Sequence, residues 1–140
     1  MDNISVLISV LSTRGIGLGT AKKLIPSQNI SSEIELIDFL MQKASKIPRL
    51  KLTIDQIKSG IEKAKRIVSK SIDLNISILP FNSPLYPFSI MQTENSPLVL
   101  SYRGDISLLK ERRIAIIGTR KPSLLGKEVA FHYGKSLAEN

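Results

Sequence analysis

Residues 114–126 read IAIIGTRKPSLLG, and this order of apolar, glycine and polar residues predicts the fold class of the chain. The run from Arg113 to Ile117 is nearly all apolar, which predicts a parallel strand covered on both faces. A loop follows, and a helix is predicted from about Gly126 to Glu139. Open α/β sheets present their ligand sites where the carboxyl end of a strand meets such a loop and helix. The chain is therefore predicted to be α/β overall and to contain the first part of a parallel sheet.

The loop between this strand and this helix has the residue types of a phosphate site. Gly118 lets the backbone leave the strand without a Cβ in the way, and free N–H groups at the helix start can coordinate an anion. Thr119 and Ser123 supply hydroxyl donors, and Arg120 supplies a planar fork that suits phosphate oxygens. An ordinary strand–helix turn with a surface arginine accounts for the same residues equally well.

Two better-known phosphate loops do not fit this sequence. The pattern G-x-x-x-x-G-K-[ST] is absent, so a Walker-type nucleotide hydrolase is not supported. The loop also lacks the G-x-G-x-x-G fingerprint of dinucleotide-binding proteins.

The first half of the chain predicts a helical domain over residues 1–73. The second helix of this domain is predicted to run from near Thr20 to Pro26. Ser31 or Ser32 is expected to cap the third helix. The predicted apolar face of this third helix holds Ile34, Ile37 and Met41, and Leu36, Phe39 and Leu40 extend the apolar surface around it.

The longest predicted helix begins at Thr53 or Asp55. Its apolar face is predicted to hold Ile54, Ile57, Ile61, Ala64 and Val68. The opposite face holds Lys63, Arg66 and Lys70. A charged face of this kind is usually only solvated, and we favour that interpretation over a DNA contact.

A second domain is predicted over residues 74–140, where the character of the sequence changes. Short strands are expected at 76–79 and 98–102, with a packed, proline-rich connection between them. A short helical turn is predicted around Ile106, Leu108 and Leu109.

The glycine run Gly15-Ile16-Gly17-Leu18-Gly19 predicts a helix-hairpin-helix. That motif turns backbone N–H groups toward a DNA phosphate without reading sequence. The residues proposed for this secondary contact are Gly15, Gly17, Gly19, Lys22 and Lys23. A purely structural hairpin of two helices fits the same residues.

Composition excludes several classes of site. The chain has 20 Lys and Arg against 12 Asp and Glu, a net charge of +8, which favours a polyanionic partner such as nucleic acid. With no cysteine and only His132, neither disulfides nor a multi-histidine metal site are expected. The apolar opening 4–11 is too short to span a bilayer, and we expect a cytoplasmic protein without a membrane partner.

Together these features resemble the DNA-processing protein A (DprA, also called Smf) family. The matches, in the family's order, are the hairpin at 15–21, Ser83-Pro84-Leu85-Tyr86-Pro87, the run from Ser96 through Arg103-Gly104-Asp105, and the loop 116–123. Two positions depart from the family pattern, since Thr119 replaces the usual serine and Leu125 replaces a frequent aromatic residue.

The resemblance implies a sterile-alpha-motif-like helical domain followed by a Rossmann-like domain. It also implies a protein without catalytic activity or cofactor, which binds incoming single-stranded DNA and helps to load the RecA recombinase during natural transformation. A homodimer is implied for the full-length protein. The phosphate-binding residues would be Gly118, Thr119, Arg120, Lys121, Ser123 and Gly126.

The family continues beyond this point into another strand and a second glycine-rich motif, so we expect the chain to be the amino-terminal part of such a protein. One rival hypothesis is a nucleotide-binding or nucleotide-cleaving Rossmann-like protein. Its acid or base would have to be Glu111, Glu128 or His132, of which the last two are one helical turn apart. Another is a fragment with no function of its own.

Overall fold

A computed structural model describes residues 1–111 and 114–139. Its contacts divide the chain into two compact units, 1–107 and 108–140. The predicted domain boundary after residue 73 falls inside the first unit, and that boundary stays a prediction.

The first unit contains four helices followed by a small sheet. The helices are α1 (Asn3–Ser12), α2 (Leu18–Leu24), α3 (Glu33–Ala44) and α4 (Ile54–Asp73). The strands are β1 (Ser77–Pro80) and β2 (Val99–Tyr102), and the one-turn helix α5 (Phe88–Met91) lies in the segment between them. A 3-10 helix spans Ile106–Lys110, as the apolar spacing predicts.

Helix α4 has well-defined ends, which the sequence predicts at its start. The Thr53 hydroxyl accepts from the Gln56 N–H at 3.2 Å, and the Gln56 side chain accepts from the Thr53 N–H at 2.9 Å. This capping box satisfies two N–H groups that no helical carbonyl reaches. At the other end, Asn75 adopts φ +52°, and the Ile76 N–H reaches back to the Ser71 carbonyl at 2.7 Å. This left-handed cap turns the chain into β1.

The core of the first unit lies between α1 and α4, and α2, α3 and the sheet surround it. Its fully buried large side chains include Val10, Leu24, Leu36, Leu40, Ile57 and Ile61. The predicted apolar surface of α3 is confirmed for Leu36 and Leu40, which are buried together with Ala44, and is wrong for Ile34, which is 73% exposed. Because α3 packs on α4 and α2, those neighbours select the buried face.

The sheet consists of β1 and β2 paired antiparallel, with Ser77 opposite Tyr102 and Pro80 opposite Val99. No parallel pairing occurs among the described residues. A parallel pair needs a crossover that spans the sheet, and the segment 81–98 contains only the four-residue α5. The coarse α/β class is confirmed, and the Rossmann-like arrangement stays a prediction.

The second unit contains α6 (Leu124–Glu139). The predicted strand at 113–117 is wrong for residues 114–117, which form no regular element, and Arg113 lies outside the described residues. Ile117 is 92% exposed. An extended segment becomes a strand only beside a hydrogen-bonding neighbour, and the described residues pair no strand with it.

Candidate nucleic-acid interface

Ser123 caps helix α6, which begins at Leu124 rather than at the predicted Gly126. Its hydroxyl oxygen accepts from the Gly126 N–H at 3.1 Å, and its carbonyl accepts from the Lys127 N–H at 3.1 Å. Serine is a preferred residue at this position because its oxygen satisfies a first-turn N–H. The Gly126 N–H is therefore occupied, and the N–H groups of Leu124 and Leu125 remain at the open end of the helix.

Thr119 and Gly118 begin the loop that leads to this helix. The Thr119 hydroxyl accepts from the Lys121 N–H at 3.4 Å, which is a long hydrogen bond. A Cβ at Gly118 would meet no atom within 4 Å, and Gly118 does not adopt positive φ. The space that glycine leaves at 118 is thus open to solvent rather than filled by the protein.

Arg120 and Lys121 are the free cations of the loop. Both side chains are exposed, and neither forms an ion pair within residues 1–111 and 114–139. An unpaired guanidinium and ammonium beside the start of a 16-residue helix form an electropositive surface. The structure therefore places the predicted loop residues Gly118, Thr119, Arg120, Lys121, Ser123 and Gly126 in one exposed segment. Their role in binding phosphate stays a prediction.

The glycine run of the first unit forms a turn between α1 and α2. Gly15 adopts φ +94°, a conformation that favours glycine, and the Ile16 N–H closes the turn on the Thr13 carbonyl at 3.2 Å. Gly17 precedes α2 as its cap, and a Cβ at Gly17 or Gly19 would meet nothing within 4 Å. Two helices joined by a glycine turn are thus present, and the DNA-binding role of the turn stays a prediction.

Lys22 and Lys23 differ in their surroundings. The Lys22 ammonium donates to the Glu94 carbonyl at 3.4 Å and to the Ser96 hydroxyl at 3.3 Å. It therefore holds the segment 81–98 against α2. The two bonded pairs are 72 and 74 residues apart in sequence, so helical spacing alone does not predict these contacts. Lys23 is exposed and is the freer of the two for an outside anion.

Glu128 and His132, the acid–base pair required by an enzyme hypothesis, do not interact with each other in the described part of the chain. The His132 ring instead meets the Tyr133 ring edge-on, with centroids 6.2 Å apart. Glu111, the third candidate for this role, forms no described ion pair either. Within residues 1–111 and 114–139, no group of three His, Cys, Asp or Glu side chains has metal-binding geometry.

Tyr86 belongs to one of the motifs that resemble the family, and the sequence alone does not show what its side chain does. Its ring is 5% exposed, and its hydroxyl donates to the Pro97 carbonyl at 2.5 Å. Burial raises the pKa of this phenol above its usual value. The contact joins Ser83-Pro84-Leu85-Tyr86-Pro87 to the run that enters β2. We interpret these two motifs as structural partners rather than as ligand contacts.

One cleft in the first unit is separate from all these residues. It has a volume of about 290 Å³ and lies between the start of α1, the segment 25–30 and the end of β1. Its floor includes the buried Val6, Leu7 and Ile30. None of the predicted DNA contacts lines it.

In the described residues, no helix has both the length and the apolar character needed to cross a bilayer.

Comparison with known proteins places this geometry in a family context. The family model described as DNA recombination-mediator protein A matches residues 77–140, which begin at β1 and include the loop before α6. The DNA processing protein DprA of Bacillus subtilis (strain 168) is 32% identical over 113 residues, or 80% of this chain. That alignment is longer than the family match and therefore extends into the helical region. The chain spans about a third of the length of this curated relative (36%).

No solved structure matches the chain. The match to the family model and the 32% identity to the Bacillus protein over most of the chain establish that the chain belongs to the DNA recombination-mediator protein A (DprA) family.

Proposed function

We propose that this chain binds single-stranded DNA through its backbone phosphates and acts in DNA processing during natural transformation and recombination. The observation that carries the proposal is the exposed, unpaired Arg120 and Lys121 beside the open start of α6. This segment lies inside the region that matches the family model.

Three features of this chain would bind a phosphate at the loop. The guanidinium of Arg120 offers two parallel donors to phosphate oxygens, and the Leu124 and Leu125 N–H groups point out of the start of α6. The positive end of the helix dipole favours the anion further. None of these donors reads a base, so binding is expected to be tolerant of sequence.

The charge of the chain supports the same partner. A net charge of +8 attracts a polyanion over a distance and makes binding sensitive to salt. Aromatic residues are only 5% of the chain, so base stacking should contribute less than charge.

The wider role follows from family membership and is part of the proposal. The chain would protect incoming DNA and help to load a RecA-type recombinase, in the cytoplasm, without catalysing a reaction or holding a cofactor. A homodimer is proposed for the full-length protein.

The substitution Arg120→Ala tests the loop directly. We expect the slope of log binding constant against log salt to fall by about 0.7 to 1, with weaker binding to every oligonucleotide sequence alike. The measurement is fluorescence-anisotropy titration of labelled single-stranded oligonucleotides of several sequences.

The matched control is Lys135→Ala in the same unit, which removes one positive charge and an exposed ion pair with Glu139 of 3.8 Å. It should change the affinity far less than Arg120→Ala does. Equal affinities for Arg120→Ala and the unmodified chain would remove Arg120 from the site.

A further inference from the structure

The outward face of α4 carries a row of cations, which we call the basic stripe: Lys63, Arg66 and Lys70. At about 100° per residue, Arg66 lies about 180° from the buried Ile57, and Lys63 and Lys70 lie within about 60° of Arg66. All three side chains are exposed, while Ile57, Gly60, Ile61 and Ala64 on the other side are buried. The stripe therefore points away from the core.

The neighbouring Lys65, by contrast with the stripe, forms ion pairs with two carboxylates. Its ammonium lies 2.8 Å from a Glu33 oxygen and 2.7 Å from a Glu62 oxygen. Hydrogen bonds to Glu33 and then to Glu62 raise the pKa of Lys65 above its usual value. No member of the basic stripe has such a partner among the described residues. Carboxylates thus hold Lys65 directly, whereas Lys63 and Lys70 form no described ion pair and Arg66 has only the nearby charge of Glu62, whose pKa it helps to lower.

The stripe is held on a fixed support. The capping box at Thr53 and the left-handed cap at Asn75 fix the two ends of α4, and its apolar face is packed on α1. Lys63 and Lys70 are seven positions apart on the helix, which is about 10 Å along its axis.

The sequence alone favours a solvated face here, but from this exposed and supported geometry we propose that the basic stripe is a second site that binds the phosphates of single-stranded DNA. This inference rests on the proposed function and extends it to a residue set outside the family match. Charge complementarity selects the partner, because three exposed cations that form no described ion pair face outward from one helix. Titration with anionic vesicles separates this partner from an anionic membrane, which would also attract the cations.

The test uses the full chain with Lys63, Arg66 and Lys70 each changed to Gln. All three side chains are exposed, so the fold should be unchanged, and circular dichroism checks this. The control changes Lys43, Lys46 and Lys51 to Gln, three exposed cations of the same unit with the same loss of charge. Both variants are titrated against labelled single-stranded oligonucleotide at several salt concentrations.

We expect the stripe variant to lose about 2 from its salt slope and to bind at least about tenfold more weakly at about 0.1 M salt. The control should lose less than about threefold, because its cations act only through the net charge. Equal losses of affinity in the two variants would overturn the proposal that the stripe binds DNA.

Two further outcomes separate the stripe from the proposed function. If the unmodified chain does not bind DNA, both proposals fall. If it binds and Arg120→Ala weakens binding while the stripe variant matches the control, only the stripe falls. Titration with phosphatidylglycerol vesicles tests for a membrane partner. A stripe variant that loses only vesicle binding would assign the surface to a membrane and overturn the DNA proposal.

Discussion

Gly60 is a residue of α4 at which the end of α1 comes very close. A Cβ at this position would lie 2.3 Å from the Thr13 hydroxyl oxygen, 2.9 Å from the Ser9 carbonyl oxygen and 3.0 Å from the Thr13 Cα. Thr13 is itself buried, and its hydroxyl donates to the Ser9 carbonyl at 2.8 Å. The end of α1 thus packs directly onto the backbone of α4, which fixes where the glycine turn begins.

We expect Gly60→Ala to destabilise the protein by about 1–3 kcal/mol, because the added methyl group overpacks this contact. The intrinsic preference of a helix for alanine over glycine is worth about 1 kcal/mol in the other direction. Overpacking should win, because the atoms in the way belong to the backbone of α1 and not only to a flexible side chain. Urea unfolding measures the difference.

The control for this substitution is Gly19→Ala in α2. A Cβ there meets nothing within 4 Å, so the helix preference should act alone and leave stability equal or slightly higher. A Gly60→Ala chain as stable as the Gly19→Ala chain would contradict the close contact.

Single-residue roles were only partly predictable from the sequence. The Ser123 hydroxyl caps α6, a contact that was not predicted from the sequence, and its role in binding phosphate stays a prediction. The Lys22 contacts with the 94–96 segment and the Gly60 contact with α1 join residues far apart in sequence. Local pattern carries no signal for such contacts, which depend on how helices pack.

At the scale of elements, local signals predicted the starts of α3 and α4 and, to within one residue, the two strands β1 and β2. The start of α4 at Thr53 and the cap of α3 at Ser32 follow from capping chemistry that acts within a few residues, and both predictions are confirmed. The β1–β2 register joins residues such as Ser77 and Tyr102, and nothing local fixes it. The apolar run at 114–117 predicted a strand, but apolar character alone supplies no partner strand.

Within the segment 81–98, the Tyr86 hydroxyl donates a part-buried hydrogen bond to the Pro97 carbonyl. We expect Tyr86→Phe to cost about 1–3 kcal/mol of unfolding free energy, because the Pro97 carbonyl loses its donor. The control is Tyr102→Phe in β2, whose half-buried hydroxyl makes no hydrogen bond in the described residues. Equal unfolding midpoints in urea for the two variants would contradict this role of Tyr86.

The same residue gives a pH dependence. Since burial raises the pKa of folded Tyr86, its contribution to stability is complete below the unfolded tyrosine pKa of about 10 and is lost as pH rises through the folded pKa. The unmodified chain should therefore lose stability more steeply above about pH 10 than Tyr86→Phe does.

At the scale of the whole molecule, positive charge is distributed over both units. Residues 1–107 hold 13 Lys and Arg against 9 Asp and Glu, and residues 108–140 hold 7 against 3. Each unit therefore carries a net charge of about +4, with the Arg120 loop in one and the basic stripe in the other. A polyanion held by several such cations should bind with a strong dependence on salt, whereas a small nucleotide touches few of them.

The most direct test is anisotropy titration of a labelled single-stranded oligonucleotide with the full chain at two salt concentrations, with circular dichroism on the same sample. The account predicts a folded chain whose affinity falls steeply with salt, varies little with base sequence and is not competed by a free mononucleotide. A folded chain that fails to bind, or that binds equally at both salt concentrations, would contradict it.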